Sequence, residues 1–432
     1  MVGGEDGNDY GHFFPFIEEQ LASKFGAFVV HPEHRFYGVS QPIDPAIATT
    51  DDFKRLLTAK QAIADMLTIV QHFQEEFACS KDKSSPDYCP VMAVGGSYPG
   101  FISAIMRLHY SDIVDIGYAS SAPLKLYSME ADPFGYMDVV TRTADQASAG
   151  CAEAVRSALD EVDEALRGSH KDGHLDIAHE KLNICAGSVP KYIKSGETLS
   201  EELMMVVSNS FADMNMFNYP PTKKTQLARA CTEVFQNKSL NSYEKLAKFW
   251  MEFVDDVDTS LPCFDMTSQL PAGHKPTISG SDWSGVGTGL DGEAFDFHCC
   301  ATLTPPVGFS KESMFPYRPW TLEWLTDHCV ERFDVVPDPY KLNREFKFDD
   351  LVGQGATRIL FTNGMNDLWH VGCHLESLSE DLPVINMING AHHSDLHYSD
   401  DMGLDTPDVT EAHAKITNVL TGWLNEIKGT EF

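Results

Sequence analysis

The segment that decides the fold is VMAVGGSYPG, residues 91–100, followed by FISAIMRL at 101–108. Its apolar start predicts a short buried strand, and the residues after Gly100 have the pattern of a helix. Two glycines and Ser97 lie between them, where a sharp turn would hold the serine in a strained conformation with its hydroxyl above the sheet. A strand, a sharp turn, a serine and a helix in this order indicate a nucleophilic serine.

Pro99 departs from the Gly-x-Ser-x-Gly pattern that such turns usually carry. Proline is tolerated in the first turn of a helix because its missing N–H would have no partner there. The turn therefore survives this departure on physical grounds. The alternative is an ordinary glycine-rich connection between a strand and a helix, without a catalytic role.

Size and charge narrow the class of protein. The chain has 432 residues with 43% hydrophobic content, enough for a large core that at this length usually splits or carries an insertion. A formal charge of -32 argues against nucleic acid and anionic membranes as partners. The negative charge either only keeps the protein soluble or indicates that the protein works at low pH, where protonation reduces the repulsion between carboxylates. The chain has no apolar run long enough to predict membrane insertion, and its sequence shows no signal peptide.

The ten cysteines are scattered along the chain and include no Cys-x-x-Cys pair, so we expect no zinc ribbon. We also expect no metal or other cofactor. An even number of scattered cysteines fits disulfides formed in an oxidising compartment. Asn237, in Asn-Lys-Ser, is a candidate glycosylation acceptor.

Alternation of strands and helices predicts a parallel sheet. Strands are expected at Gly26–Pro32, 91–94, 116–119, 357–362 and 384–388, and helices at 51–77 and 410–427. Residues 129–254 have a mostly helical pattern, and a loop-rich stretch follows to about Pro319. We therefore predict an α/β-hydrolase sheet in residues 1–125 and 340–432, with a large, mostly helical cap insertion at 126–339. The loop-like start suggests that the N-terminal strands of this sheet are missing.

A base and an acid follow later strands in the order that this fold requires. Asp367 comes soon after the strand ending at Thr362, and His392 and His393 follow the strand ending at Ile388. An imidazole would take the serine proton, and a buried carboxylate would hold its tautomer. Asp367 could instead cap a turn, and the histidines could lie on the surface. The i,i+4 spacing of His393 and His397 is weak evidence for a metal, because Ser394 stands where a His-Glu-x-x-His site needs glutamate.

Six motifs together resemble one family over nearly the whole chain. It comprises the eukaryotic serine peptidases lysosomal Pro-X carboxypeptidase, dipeptidyl peptidase II and thymus-specific serine protease. The matching motifs are EHRFYGVSQP at 33–42, LTAKQAIAD at 57–65, GGSYPG at 95–100, ASSAP at 119–123, NGMNDLW at 363–369 and GAHHSDL at 390–396.

The resemblance implies roles for individual residues. Ser97 would be the nucleophile, Asp367 the acid and His392 the base, with His393 as the alternative base. Backbone N–H groups of Tyr98 and Gly4 would form the oxyanion hole. The family's early Gly-(Gly/Asn)-Glu-Gly is Gly3-Gly4-Glu5-Asp6 here, and without the preceding strands we expect this loop to lack its anchor.

Disulfides are also implied by the resemblance. It pairs Cys151 with Cys231, Cys185 with Cys263 and Cys300 with Cys329, and leaves Cys79, Cys89, Cys299 and Cys373 without a partner. Where relatives carry Tyr-Gln-x-Cys-Thr-Glu near the substrate, this chain has FHCCAT at 297–302, which leaves substrate preference open.

The expected activity is that of a serine exopeptidase hydrolysing short peptides next to proline through an acyl-enzyme. Phe101 and Trp369 are candidates for an apolar pocket that fits the proline ring, with core packing as the alternative. The sequence leaves open which end of the substrate is read. An esterase or lipase on the same fold, and an inactive truncated homologue, are the competing hypotheses. The resemblance and the cysteines suggest a lysosomal, vacuolar or secreted protein, and relatives tend to form homodimers.

Overall fold

A computed structural model describes residues 1–4, 14–44, 47–189, 193–222, 224–254, 261–266, 289–397 and 404–429. Glu5 and Asp6 of the early glycine motif lie outside these ranges. The chain divides into two compact units. The first contains Met1–Pro42, Arg55–Ala131 and Asp338–Phe432, and the second contains Ile43–Lys54 and Asp132–Pro337.

The first unit is built around four parallel strands, paired in the order β1-β2-β3-β4. They are β1 (Met92–Gly96), β2 (Ile116–Ser120), β3 (Ile359–Gly364) and β4 (Val384–Met387). All residues of β2 and β3 are buried, as expected for parallel strands covered on both faces. Because the strands are parallel, their carboxyl ends lie along one edge, where loops can bring functional side chains together.

Helices surround these strands in the same unit. They are Phe16–Leu21 (π-helical), Ala22–Phe25, Ala59–Glu76, Tyr98–His109, Leu124–Tyr127, Lys341–Phe346, Phe348–Asp350, Leu368–Gly372 and Pro407–Lys428, and Thr50–Leu56 spans the division at Lys54. The single helix predicted over 51–77 is therefore two helices. The break comes at Thr58, whose hydroxyl accepts a hydrogen bond from Gln61 N and so caps the second helix.

The strand predicted at Gly26–Pro32 does not form, so this prediction is wrong. Gly26 has φ 60° and ends the preceding helix, and Phe28 is 64% exposed. A strand needs a continuous ladder of hydrogen bonds to a neighbour. Here the residues at the start of the chain make isolated bonds instead: the Met1 ammonium donates to Val30 O (2.7 Å), and Val2 N donates to Val94 O (2.6 Å).

The second unit is mostly helical, as its sequence pattern predicts. Its helical segments are Gly135–Ala147, Cys151–Arg167, Gly173–Asp176, Ile177–Lys181, Gly196–Met216, Gln226–Arg229, Ala230–Phe235, Ser242–Phe253, Gly289–His298, Cys299–Leu303 and Leu322–Phe333. An aromatic cluster fills its interior, with Phe211, Phe235, Phe249 and Trp250 all inaccessible to solvent.

Four disulfides brace the chain. Three of them are the pairs that the resemblance implies: Cys151–Cys231, Cys185–Cys263 and Cys300–Cys329. The fourth joins Cys79 to Cys89, two cysteines that the sequence left without partners. Cys299 and Cys373 are buried and belong to none of these disulfides.

Candidate active site

Ser97 occupies the turn between β1 and the Tyr98–His109 helix in a strained conformation. Its φ of 59° and ψ of -129° lie in a region that non-glycine residues rarely adopt. Ser97 N donates to Ser120 O of β2 (2.8 Å), which fixes the turn against the sheet. A Cβ atom at Gly100 would lie 2.7 Å from the same carbonyl, so only glycine fits there. These features are those of a nucleophile elbow.

Asp367 and His392 form a hydrogen-bonded pair beyond the ends of β3 and β4. His392 Nδ1 donates to Asp367 Oδ2 (2.7 Å), and Trp369 N donates to Oδ1 of the same carboxylate (3.0 Å). The carboxylate is fully buried. Because Nδ1 carries the donated proton, His392 Nε2 is the nitrogen that can accept a proton from a hydroxyl.

His393 lies between the pair and the elbow. Its ring packs on that of His392 with 3.6 Å between centroids, and its Nε2 lies so close to Gly96 that a Cβ atom at residue 96 would overlap it. Asp367 bonds His392 rather than His393, which favours His392 as the base. Within the described residues, no hydrogen bond joins Ser97 Oγ to His392. The structure thus brings the candidate acid and the candidate base together beside the elbow, without a hydrogen bond between His392 and Ser97.

Gly4 and Tyr98, the predicted oxyanion-hole residues, both lie at the elbow. A Cβ atom at Gly4 would lie 2.8 Å from Pro99 Cγ, and Tyr98 is the first residue of the elbow helix. The residue before this loop is tied to the sheet, because Val2 N donates to Val94 O of β1 (2.6 Å).

His34 is a residue of the site to which the sequence assigned no role. Its Nδ1 donates to Arg35 O (2.8 Å), so Nε2 is left to accept from the Tyr98 hydroxyl (3.3 Å). Burial lowers the pKa of His34 to about 4, which keeps the ring neutral at physiological pH. Arg35 in turn makes a bidentate pair with Asp65 through Nε and Nη2, both at 2.6 Å. The 33–42 motif therefore holds the side chain of Tyr98, the residue that follows Ser97.

The two predicted pocket residues differ in their surroundings. Phe101 is 0% exposed and packs against Tyr127 and Phe348, which favours the core-packing alternative. Trp369 is half-buried, and its ring centroid lies 6.3 Å from that of His392. Only Trp369 is placed where an apolar substrate group at His392 could touch it.

A buried thiol and a cluster of possible metal ligands were also considered as functional groups, and neither supports a chemical role. Burial, reinforced by Asp367, raises the pKa of the Cys373 thiol well above its ordinary value, so it remains protonated and is a poor nucleophile. In the second unit, Asp296, Cys300 and His328 lie within metal-ligand reach of one another. Cys300 is bound to Cys329, so its sulfur is not a thiolate ligand, and Asp296 is already paired with His328 (3.0 Å).

Comparison with known proteins identifies the family. The model of the family described as serine carboxypeptidase S28 matches residues 1–416. The chain belongs to the serine carboxypeptidase S28 family. It is a serine-type peptidase with the α/β-hydrolase fold and the mostly helical insertion that the sequence predicted. Among the residues that the structure describes, no helix is long and apolar enough to cross a lipid bilayer.

Several known proteins match most of the chain. Prolyl carboxy peptidase like protein 5 of Caenorhabditis elegans is 27% identical, with 94% of this chain and 78% of the relative covered. Lysosomal Pro-X carboxypeptidase of Homo sapiens is 23% identical, with 94% and 76% covered. Thymus-specific serine protease of Mus musculus is 27% identical, with 100% and 81% covered.

Proposed function

We propose that the protein is a serine exopeptidase that hydrolyses short peptides next to proline. Ser97 is the nucleophile, His392 the general base and Asp367 the acid that orients it. The observation that carries this proposal is the 2.7 Å bond between His392 Nδ1 and the buried Asp367 carboxylate, beside a serine held at φ 59°. Membership of the S28 family supports it.

The first half of the reaction forms an acyl-enzyme. Ser97 Oγ bonds to the scissile carbonyl carbon while His392 Nε2 takes the hydroxyl proton. The negative charge that develops on the carbonyl oxygen is met by the N–H groups of Tyr98 and Gly4. The C–N bond then breaks as Nε2 gives its proton to the leaving nitrogen.

The second half releases the acyl group. Water attacks the ester carbon, His392 Nε2 accepts a water proton, and the same proton returns to Ser97 Oγ as the C–O bond to the enzyme breaks. Throughout both halves, Asp367 remains ionised and stabilises the imidazolium. Because its carboxylate is inaccessible to solvent, water does not weaken this interaction.

Preference for proline rests on the family and on one side chain. Two of the relatives are named as a prolyl peptidase-like protein and a Pro-X carboxypeptidase. Trp369 offers an aromatic face beside His392 that suits a proline ring. Residues 126–339 would act as the cap that admits short peptides. We infer lysosomal, vacuolar or secreted localisation from the named relatives and the disulfides, and a homodimer from the family resemblance.

A fluorophosphonate probe tests the nucleophile. It should label the wild-type protein and the Ser111→Ala control, in which an exposed serine is removed, and should fail to label Ser97→Ala. Folded wild-type protein that resists the probe would instead be an inactive homologue.

A panel of amino-terminal and carboxyl-terminal proline peptides, assayed against long acyl esters, tests the substrate class. Release of the residue or dipeptide next to proline supports the proposal and tells which end is read. A clear preference for long acyl esters would make the protein an esterase.

A further inference from the structure

Asp395 lies three residues beyond His392 and is completely buried, although it is a carboxylate. It accepts three hydrogen bonds from hydroxyl groups: Tyr118 OH (2.6 Å), Ser120 Oγ (2.7 Å) and Thr362 Oγ1 (2.6 Å). We call Tyr118, Ser120 and Thr362 the hydroxyl trio. Within the described ranges, no lysine or arginine forms an ion pair with this carboxylate.

The sheet explains how three hydroxyls reach one carboxylate. Tyr118 and Ser120 are two residues apart in β2, so their side chains project from the same face. Thr362 of β3 is the register partner of Ser120. The trio therefore forms a fixed set of donors on one face of two central strands.

Burial of a carboxylate is costly unless hydrogen bonds replace its lost hydration. An ionised carboxylate can only accept hydrogen bonds, so each hydroxyl of the trio must donate to it. The three bonds therefore tie the loop that carries His392 to the strands at a defined position. His413 of the last helix adds a fourth tie, with Nε2 donating to Asp395 O (3.1 Å).

Ser120 links this arrangement to the nucleophile. Its carbonyl oxygen accepts Ser97 N (2.8 Å), and its hydroxyl donates to Asp395 Oδ1 (2.7 Å). One residue of β2 thus bonds both the elbow and the histidine loop. A shift of the loop relative to the sheet would change the distance between Ser97 and His392.

We propose that Asp395 is a positioning residue, which through the hydroxyl trio holds His392 in register with Ser97. This inference rests on the proposed function, in which those two residues exchange a proton. Asp395 itself touches neither the substrate nor the reacting atoms. Its contribution is to the transition state, where the alignment of base and nucleophile matters most.

The test compares KM and the kcat per active site of each variant, and the concentration of active sites is measured by fluorophosphonate titration. Asp395→Asn keeps the shape but replaces one acceptor oxygen with a donor, and should lower kcat by about tenfold or more with KM little changed. Thr362→Val removes one hydroxyl and should lower kcat less, while Thr362→Ser should restore it. Ser103→Ala should have no effect, because that buried hydroxyl has no hydrogen-bond partner within the described residues.

The outcomes separate the inference from the function on which it rests. Wild-type kcat per titrated site in Asp395→Asn overturns the inference alone, even if the variant melts at a lower temperature. Failure of the wild-type protein to react with the probe overturns the proposed function and the inference with it. If Asp395→Asn does not fold, Thr362→Val and Ser120→Ala decide the question by the same readout, since Ser120→Ala keeps the carbonyl that Ser97 N bonds.

Discussion

The imidazole of His393 occupies the space that a Cβ atom on Gly96, the residue before Ser97, would fill. The contact leaves no room for a methyl group, and the same ring packs on His392 at 3.6 Å between centroids. A side chain at residue 96 would therefore push His393 into the proposed base. This relationship couples the backbone of the elbow to the position of His392, the proposed base.

We expect Gly96→Ala to reduce both activity and stability. Overpacking of this kind costs roughly 1–3 kcal/mol, and displacement of His392 should lower kcat in addition. Urea unfolding and peptidase assays of the variant provide the two measurements. Unchanged values of both would show that His393 moves away freely.

Gly422→Ala provides a matched glycine substitution with the opposite expectation. Gly422 is exposed inside the Pro407–Lys428 helix, and a Cβ atom there would meet no heavy atom within 4 Å. Alanine favours the helix by roughly 0.5–1 kcal/mol relative to glycine, so the melting temperature should rise and kcat should stay the same. A fall in melting temperature would contradict the helix at this position.

Asp367→Asn should retain the fold and lose nearly all activity. An amide in place of the carboxylate favours the wrong tautomer of His392, and a comparable change in a Ser-His-Asp triad lowers kcat by about four orders of magnitude. The rate of fluorophosphonate labelling measures the effect, with Asp349→Asn at an exposed carboxylate as the control. Labelling of Asp367→Asn at the wild-type rate would remove Asp367 from the mechanism.

His374 should make the protein less stable in acid. Burial, and to a lesser extent the charge of Lys125, lowers the pKa of His374 from 6.5 to about 4. Between these two pH values the imidazole is protonated in the unfolded chain and neutral in the folded protein. Its contribution to stability is therefore complete above pH 6.5 and decreases as the pH falls toward 4, by at most about 1.4 kcal/mol per pH unit. His374→Leu should flatten the fall in melting temperature between pH 7.5 and 5.

The control for that measurement is His72→Gln, at an exposed histidine of the same unit. If His374→Leu keeps the wild-type dependence of melting temperature on pH, the buried imidazole does not determine acid sensitivity. Burial also lowers the pKa of His34 to about 4, so some acid sensitivity should persist in the variant.

The sequence predicted those parts of the fold that depend on local pattern. The runs that became β1 to β4 are short, apolar and followed by turn residues, so their location and parallel pairing could be inferred. The segment 26–32 has the same apolar character, yet it forms no strand. The difference is the neighbour: Val30 O accepts a hydrogen bond from the Met1 ammonium, and the described residues form no ladder with this segment.

The candidate triad could be predicted because each of its residues follows a strand in a fixed order. The role inferred for Asp395 could not, because it depends on Ser120 and Thr362 being register partners in strands that are far apart in the sequence. The disulfide between Cys79 and Cys89 was likewise not predicted, because it depends on the conformation of the loop between the Ala59–Glu76 helix and β1.

The order of the strands along the chain also determines when the protein can act during its own synthesis. β1 and β2 precede Asp132–Pro337, the longer segment of the second unit, whereas β3 and β4, with the loops that carry Asp367 and His392, follow it. A nascent chain therefore carries its serine long before the ribosome has made the carboxylate and imidazole that would activate it. Under the proposed mechanism, a chain that stops before Asp367 and His392 would hold Ser97 without the groups that activate it.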